Sequence, residues 1–397
     1  MLRKTIRIFW IVVVIFSAQL FAAAPKNVIL FIGDGMGFEQ VAAAGMYANG
    51  QAGTLIFEAF DHQGQVTTYA ADAAITDSAA SGTAMATGHK VNNGVVSMAI
   101  PGDNRELETA LEYLKKQGKS TGLVTTTHIT HATPAVFAAH EPDRGNLAEI
   151  AQDFLTQSRP NVLFGGGGKG ISKKATLAAG YIVIKDRKGL FEIDTENVTI
   201  ISGQFGKGHM PYEVDGLGDL PHLSEMTAVA LKILDNDADG FFLMVEGGRI
   251  DHAGHDNDLL RNVTETIEFA KAVETAINWA GADANTLIIV TADHECGGLK
   301  VEKNNGAGKL PTVSWSTNDH TAAKVPVYAR GVNAQMAREI KDDTQIFSML
   351  TGKDCTPAGP TTGTVAAAGA VLAVLVAMVV ISRYKRKTVK SSQTNSS

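Results

Sequence analysis

Asn27-Val28-Ile29-Leu30-Phe31-Ile32 is a run dominated by β-favouring apolar residues, and it ends abruptly in Gly33-Asp34-Gly35-Met36-Gly37. An apolar stretch this short, without polar alternation, suits a strand buried on both faces, as in a parallel sheet. Comparable runs recur at Gly122–Thr126, Val162–Phe164, Phe241–Val245, Leu287–Val290 and Val325–Tyr328. Helical candidates lie between them at Glu106–Gln117, Leu223–Asp235 and Asn262–Ala280. This alternation predicts an α/β fold, a three-layer sandwich with a largely parallel central sheet flanked by helices.

In such sheets, function collects beyond the carboxyl ends of the strands. Asp34 follows the first run, Thr126 to Thr133 the second, Glu246 and Asp251 a later one, and Asp293-His294 the next. Gly33 to Gly37 is not a dinucleotide fingerprint, because its third glycine comes one residue early and an aspartate would face the pyrophosphate. Gly165 to Gly168, followed by Lys169-Gly170, lacks the Gly-Lys-Ser/Thr order of a P-loop and reads as a backbone turn.

Thr76-Asp77-Ser78-Ala79-Ala80-Ser81 sets a hydroxyl beside a carboxylate where a helix of small residues, Ser78 to Thr87, is expected to begin. Thr, Asp and Ser are ordinary capping residues, so the stretch alone carries no chemistry. A serine becomes nucleophilic at neutral pH only beside a base or a cation that stabilises its alkoxide. Candidate cation ligands are present. Asp251 and His255 stand at i and i+4, on one face if that turn is helical; Asp293 and His294 are adjacent, and His320 lies in a polar loop. Nitrogen and oxygen donors without thiolates fit zinc, and carboxylates plus a hydroxyl suit magnesium. His128 and His131 stand at i and i+3 in a strand-exit loop, and only His131 is retained as functional. No chemistry is assigned to residues 170–221, and Met36, Met46, Met85 and Met98 read as core packing.

The ends have a different character. Arg3, Lys4 and Arg7 precede an apolar run from Ile8 to Phe16, and Phe21-Ala22-Ala23-Ala24 follows, so residues 1–24 are expected to be a secretory signal. Residues 355–363, rich in Pro, Gly and Thr, read as a tether; 364–382 as a transmembrane helix; and 383–397 as a basic cytoplasmic tail. Residues 25–354 would then be the catalytic domain. Removing the three bases of the signal and the five of the tail takes the formal charge from −6 to −14. So acidic a body excludes a basic nucleic-acid-binding surface. Two cysteines, Cys296 and Cys355, make no disulfide framework and no cysteine cluster.

Taken together, Phe31 to Gly37, Thr76 to Ser81, His131-Ala132-Thr133-Pro134-Ala135, Val245 to His255, Thr291-Ala292-Asp293-His294-Glu295 and Asp319-His320-Thr321 resemble the alkaline phosphatases, in the family's order, over about residues 27–330. The resemblance implies an exported, metal-dependent phosphomonoesterase acting on small phosphate monoesters. Ser78 would be the nucleophile that becomes a phosphoserine, which water then hydrolyses. Asp251, His255 and His320 would hold one zinc, and Asp34, Asp293 and His294 a second that activates Ser78. Asp34 would bridge to a magnesium completed by Thr133 and Glu246. Arg144 would clamp two phosphate oxygens, with Asp77, His131 and His252 in the surrounding shell. The membrane would be met through the C-terminal helix.

His131 and His252 stand where the best-known enterobacterial member has Asp and Lys, whereas animal members also carry His. Zinc is therefore expected to compete with magnesium at the third site. The stretch between His294 and His320 is short for the family and lacks a crown-like insertion, one common contribution to dimer contacts, so a homodimer is left open. Two alternatives stand beside this reading: a phosphodiesterase or related hydrolase on the same scaffold, and a non-catalytic surface protein binding phosphate or metal. A sulfatase is disfavoured, since no Cys-x-Pro-x-Arg or Ser-x-Pro-x-Arg sequence is present.

Overall fold

The computed structural model describes residues 25–283 and 285–353. Strand β1 (Asn27–Ile32) is buried over its whole length. In chain order there follow β2 (His62–Val66), β3 (Ser120–His128), β4 (Val162–Gly166), β5 (Ile182–Ile184), β6 (Ile201–Phe205), β7 (Phe241–Glu246), β8 (Thr286–Thr291), β9 (Glu295–Cys296), β10 (Lys300–Lys303), β11 (Thr312–Ser314), β12 (His320–Thr321) and β13 (Val325–Gly331). A nine-stranded sheet has the order β2-β13-β8-β1-β7-β3-β4-β6-β5. β13 runs antiparallel to both its neighbours, and every other pairing in the sheet is parallel.

β1, β3, β7 and β8 are buried at every residue, as expected where helices cover both faces of a parallel sheet. Helices Phe38–Asn49, Leu223–Leu234 and Arg249–His255 each pack against Leu259–Ala280, while Ser78–Thr87, Ala110–Lys116, Ala132–Ala138 and Thr344–Thr351 form another group. The parallel register brings functional residues into one row. Ile32 is level with Glu246 on one side and Thr291 on the other, and Thr125 of β3 is level with Glu246.

All ten residues of the helix Ser78–Thr87 are buried. Its small side chains permit that: a Cβ on Gly82 would lie 2.8 Å from Val136 of the helix Ala132–Ala138. One helix expected from sequence starts later than its apolar pattern suggested, at Ala110 rather than Glu106. Thr109 caps it, accepting from the Glu112 amide at 3.1 Å while Glu112 reaches back to the Thr109 amide, and Glu106 bridges to Met98 instead. Sequence pattern missed both edge strands, β2 and β5, and β6 beside the latter.

The expected signal, tether, transmembrane helix and basic tail lie outside the described residues. Among the described residues no helix is long and apolar enough to cross a membrane.

Candidate metal centre and nucleophile

Asp77 caps the helix that begins at Ser78, its carboxylate accepting from the amides of Ala80 at 2.9 Å and Gly94 at 3.1 Å. The same carboxylate takes a hydrogen bond from Arg144 Nη1 at 2.9 Å, and Arg144 Nη2 lies 3.3 Å from His131 Nε2. Burial opposes ionisation of Asp77, but the Arg144 charge and the amide donors outweigh it and hold the carboxyl below its usual range. Arg144 is thus fixed in orientation beside the nucleophile candidate. Ser78 is 2% exposed, and its Oγ is 3.3 Å from His294 Nε2.

Three clusters of donor atoms surround this point. In the first, Asp251, His255, Cys296 and His320 bring one donor each within 4.8 Å of one another. His255 Nε2 is 3.3 Å and His320 Nε2 3.4 Å from the Asp251 carboxylate, and the two nitrogens are 3.1 Å apart. Backbone carbonyls fix both rings: His255 Nδ1 donates to Asn318 at 2.7 Å and His320 Nδ1 to Thr76 at 2.8 Å. A carbonyl only accepts, so each Nδ1 carries hydrogen and leaves Nε2 to face Asp251: protonated, it donates to the carboxylate, and deprotonated, its lone pair is available to a cation. The hydrogen bond with Asp251 pushes His255 up to about 9.

The second cluster is Asp34, Asp293 and His294, all fully buried. Asp293 Oδ1 accepts from the amides of Gly35 at 3.1 Å and His294 at 3.0 Å, while Oδ2 has no hydrogen-bond partner. Neither oxygen of Asp34 has one. The rings of His294 and His320 stack 3.5 Å apart, so the first two clusters adjoin. The third cluster joins Asp34 to His131 and Glu246. Thr125 and Thr127 hydroxyls donate to Glu246 Oε2, whereas Oε1, the Thr133 hydroxyl and His131 Nδ1 are buried without partners. His252 lies beside His131, with ring centroids 5.8 Å apart, and its Nδ1 accepts from Arg249 Nη1 at 2.7 Å.

An orphaned buried polar group costs about 1–3 kcal/mol, more if charged. Here the carboxylate oxygens without a hydrogen bond are Asp34 Oδ1 and Oδ2, Asp293 Oδ2, Glu246 Oε1 and Asp251 Oδ1, of which Asp34 Oδ1 and Asp293 Oδ2 lie 3.4 and 3.3 Å from His294 Nε2 and Asp251 Oδ1 lies 3.4 Å from His320 Nε2. Burial, then the charges of Asp293, Asp251 and Glu246, drives Asp34 well above the carboxylate range, and burial pushes Glu246 up to about 7. Divalent cations would satisfy these atoms together. Imidazole and carboxylate donors in the first two clusters suit zinc, and the oxygen-rich third suits magnesium.

All the residues singled out in the sequence meet in this region. Sequence reading missed four others. Thr125 and Thr127 alternate on β3 toward Glu246, a period-two signal. His209, from the stretch left without chemistry, places its ring 4.5 Å from that of His252 and 5.4 Å from that of His131. Cys296 joins the first cluster, two residues beyond His294.

The alkaline phosphatase family model matches residues 25–311. Alkaline phosphatase 3 of Bacillus subtilis is 41% identical over 293 residues, 70% of this chain and 62% of that protein; the chain thus spans less than two thirds of that relative's length. A cold-active alkaline phosphatase from a psychrophilic Shewanella superposes with a TM-score of 0.75 at 29% identity, over 82% of this chain and 99% of that one. A histidine-to-aspartate variant of the alkaline phosphatase of the Antarctic bacterium TAB5, with Mg bound in its M3 site, gives 0.72 at 28% identity, over 84% and 99%. With the fold, the family match and the relative's identity in agreement, this chain belongs to the alkaline phosphatase family.

Proposed function

We propose that the protein is an exported phosphomonoesterase working through a phosphoserine at Ser78. The observation that carries this reading is Ser78 Oγ, 3.3 Å from His294 Nε2, at the N-terminus of a buried helix and beside the oriented guanidinium of Arg144. Asp251, His255 and His320 would hold one zinc, Asp34, Asp293 and His294 a second, and Asp34, Thr133 and Glu246 a magnesium, with His131 and His252 beside it. When bound, such cations supply Lewis-acid stabilisation of the attacking and leaving oxygens of an in-line displacement.

The chain's own residues do the rest. Ser78 Oγ loses its proton and forms the bond to phosphorus as the ester oxygen departs and takes up a proton to leave as the alcohol; water then attacks the phosphoserine, releasing phosphate and returning the serine hydroxyl. Arg144, held by Asp77, would present two N–H donors to two of the three non-bridging oxygens of a monoester and leave the third to the cations, whereas a diester has only two non-bridging oxygens in all. That geometry favours monoesters over diesters. The flanking sequences support export and a membrane tether, checked by fractionating cells that express the full chain.

The test is phosphate release from p-nitrophenyl phosphate by the full chain with zinc and magnesium, beside Ser78→Ala and bis(p-nitrophenyl) phosphate. Monoester turnover that collapses in Ser78→Ala is expected. Faster diester cleavage moves the assignment to a phosphodiesterase, and turnover of neither ester to a binding protein.

A further inference from the structure

Cys296 has no role in the reading above, yet it is fully buried against the first cluster. Two backbone features put it there. β9 and β12 pair antiparallel with His320 opposite Cys296, and Gly254, in the helical turn between Asp251 and His255, leaves room for the thiol: a Cβ at Gly254 would lie 3.1 Å from Cys296 Sγ. Sγ, an Asp251 carboxylate oxygen and one nitrogen each of His255 and His320 all fall within 4.8 Å of one another. Independently, Asp251, only 5% exposed, keeps Oδ1 buried in the same cluster without a hydrogen bond, with His320 Nε2 3.4 Å away. A thiol, a carboxylate and two imidazoles from three chain segments therefore converge on one point, and one of the oxygens there makes no hydrogen bond.

We propose that Cys296 is a sulfur donor to the first cluster, completing an Asp251, His255, His320 and Cys296 set for a thiophilic divalent cation such as zinc, cobalt or cadmium. The inference rests on the proposed metal-dependent reading. The metal–sulfur bond forms as the thiol proton leaves to solvent, with no change of oxidation state. A coordinating metal deprotonates the thiol outright. Thiolate, being soft, biases the site toward zinc, cobalt and cadmium and away from magnesium and manganese. Catalytic zinc sites sometimes expand to five ligands, so a substrate oxygen would be able to join without displacing the sulfur.

The test uses the full chain, stripped of metal and titrated with Co2+. Cys355→Ser serves as the control for the second cysteine. A near-ultraviolet sulfur-to-cobalt charge-transfer band is expected in the parent and in Cys355→Ser. In Cys296→Ser it should vanish while the visible cobalt bands persist, and Cd2+ affinity should fall by about 10-fold or more. Visible cobalt bands without the charge-transfer band in the parent overturn the proposal, and leave Ser78-dependent monoester turnover, measured separately, untouched. Failure to bind cobalt at all overturns both this inference and the metal-dependent reading. Should Cys296→Ser not fold, X-ray absorption of zinc-loaded Cys355→Ser decides: a sulfur neighbour at about 2.3 Å supports the proposal and its absence refutes it.

Discussion

Ser81 Oγ donates to the main-chain carbonyl of Asp293 at 2.6 Å, tying the helix that starts at Ser78 to the turn that carries Asp293 and His294. Asp343, fully buried at the start of the helix Thr344–Thr351, stands behind this contact, with Oδ2 3.1 Å from Ser81 Oγ and Oδ1 2.6 Å from Lys90 Nζ. Removing one partner of a buried pair strands the other, at about 3–5 kcal/mol. Asp343→Ala is expected to lose stability toward the lower end of that range, because Asp342 also lies 3.4 Å from Lys90. Urea unfolding checks this. The double variant Lys90→Met, Asp343→Leu should lose less than the two single variants together, and strict additivity would refute the coupling.

Arg144 offers a second, independent prediction. A lysine there keeps the charge but loses the paired donors and the orientation imposed by Asp77. Hydrogen bonds to charged groups contribute about 1.5–3 kcal/mol, so Arg144→Lys is expected to lower kcat/KM for p-nitrophenyl phosphate by roughly 10- to 100-fold. Inhibition by inorganic phosphate should weaken in parallel. Unchanged phosphate inhibition would remove Arg144 from the anion site.

His140 lies in the segment that leads to Arg144, and it makes stability depend on pH. Its Nε2 is 3.0 Å from Glu112 Oε1, and its Nδ1 is 2.9 Å from the Ser97 carbonyl. Burial works against the imidazolium, but the Glu112 and Ser97 partners raise His140 above 6.5; burial likewise opposes ionisation of Glu112, which the His140 and Thr109 hydrogen bonds lower below 4.5. The raised histidine contributes stability that is complete below 6.5 and lost as pH rises through its folded value. The lowered carboxyl contributes stability complete above 4.5 and lost as pH falls through its folded value. The pair therefore stabilises most between about 4.5 and 6.5. Unfolding free energies across pH should show that maximum in the parent and a flatter curve in His140→Gln.

What was legible in the sequence follows from burial. β1, β7 and β8 are buried on both faces, so their apolar runs announced them. β2, His-Gln-Gly-Gln-Val at the sheet edge, has only Val66 buried and carries no such run. Residues 170–221 held β5, β6 and His209, short or polar pieces; β5 and β6 are placed by pairing at a distance along the chain, Ile182 with Ile201. The carboxylates and histidines of the site stood out because their turns follow recognisable strands. Cys296 did not, since its place depends on the β9–β12 pairing and on the space at Gly254, which no local pattern encodes.

Metal removal separates the third cluster from the others. Chelation leaves Asp34 Oδ1 and Oδ2, Glu246 Oε1 and the Thr133 hydroxyl without hydrogen bonds. Zinc alone is expected to restore part of the phosphatase activity, and added magnesium to change it further while raising Tm. A cation at 100 times its Kd stabilises the fold by about 2.7 kcal/mol. Indifference of both readouts to magnesium after zinc reconstitution would argue against an oxygen-donor third site.

Gly35 joins the backbone to the metal centre most directly. It adopts φ +70°, and a Cβ there would lie 2.9 Å from both Asp251 Cα and Asp251 Oδ1. Its amide donates to Asp293 Oδ1 at 3.1 Å and its carbonyl accepts from the Cys296 amide at 3.1 Å, so one residue spaces the first two clusters. Left-handed backbone costs a non-glycine residue roughly 1–2 kcal/mol. The approach to Asp251 adds a displacement that the fold cannot absorb by rotating a flexible side chain, because the nearest atom is backbone. Gly35→Ala is therefore expected to lose at least that much stability, and to lose zinc retention disproportionately, measured by competition with a chromophoric chelator. Gly53, at φ +77° with nothing within 4 Å of its Cβ position, supplies the control. Gly53→Ala bears the backbone strain alone, so it should be destabilised yet hold zinc as the parent does; equal zinc loss in both variants would show that Gly35 acts only through overall stability.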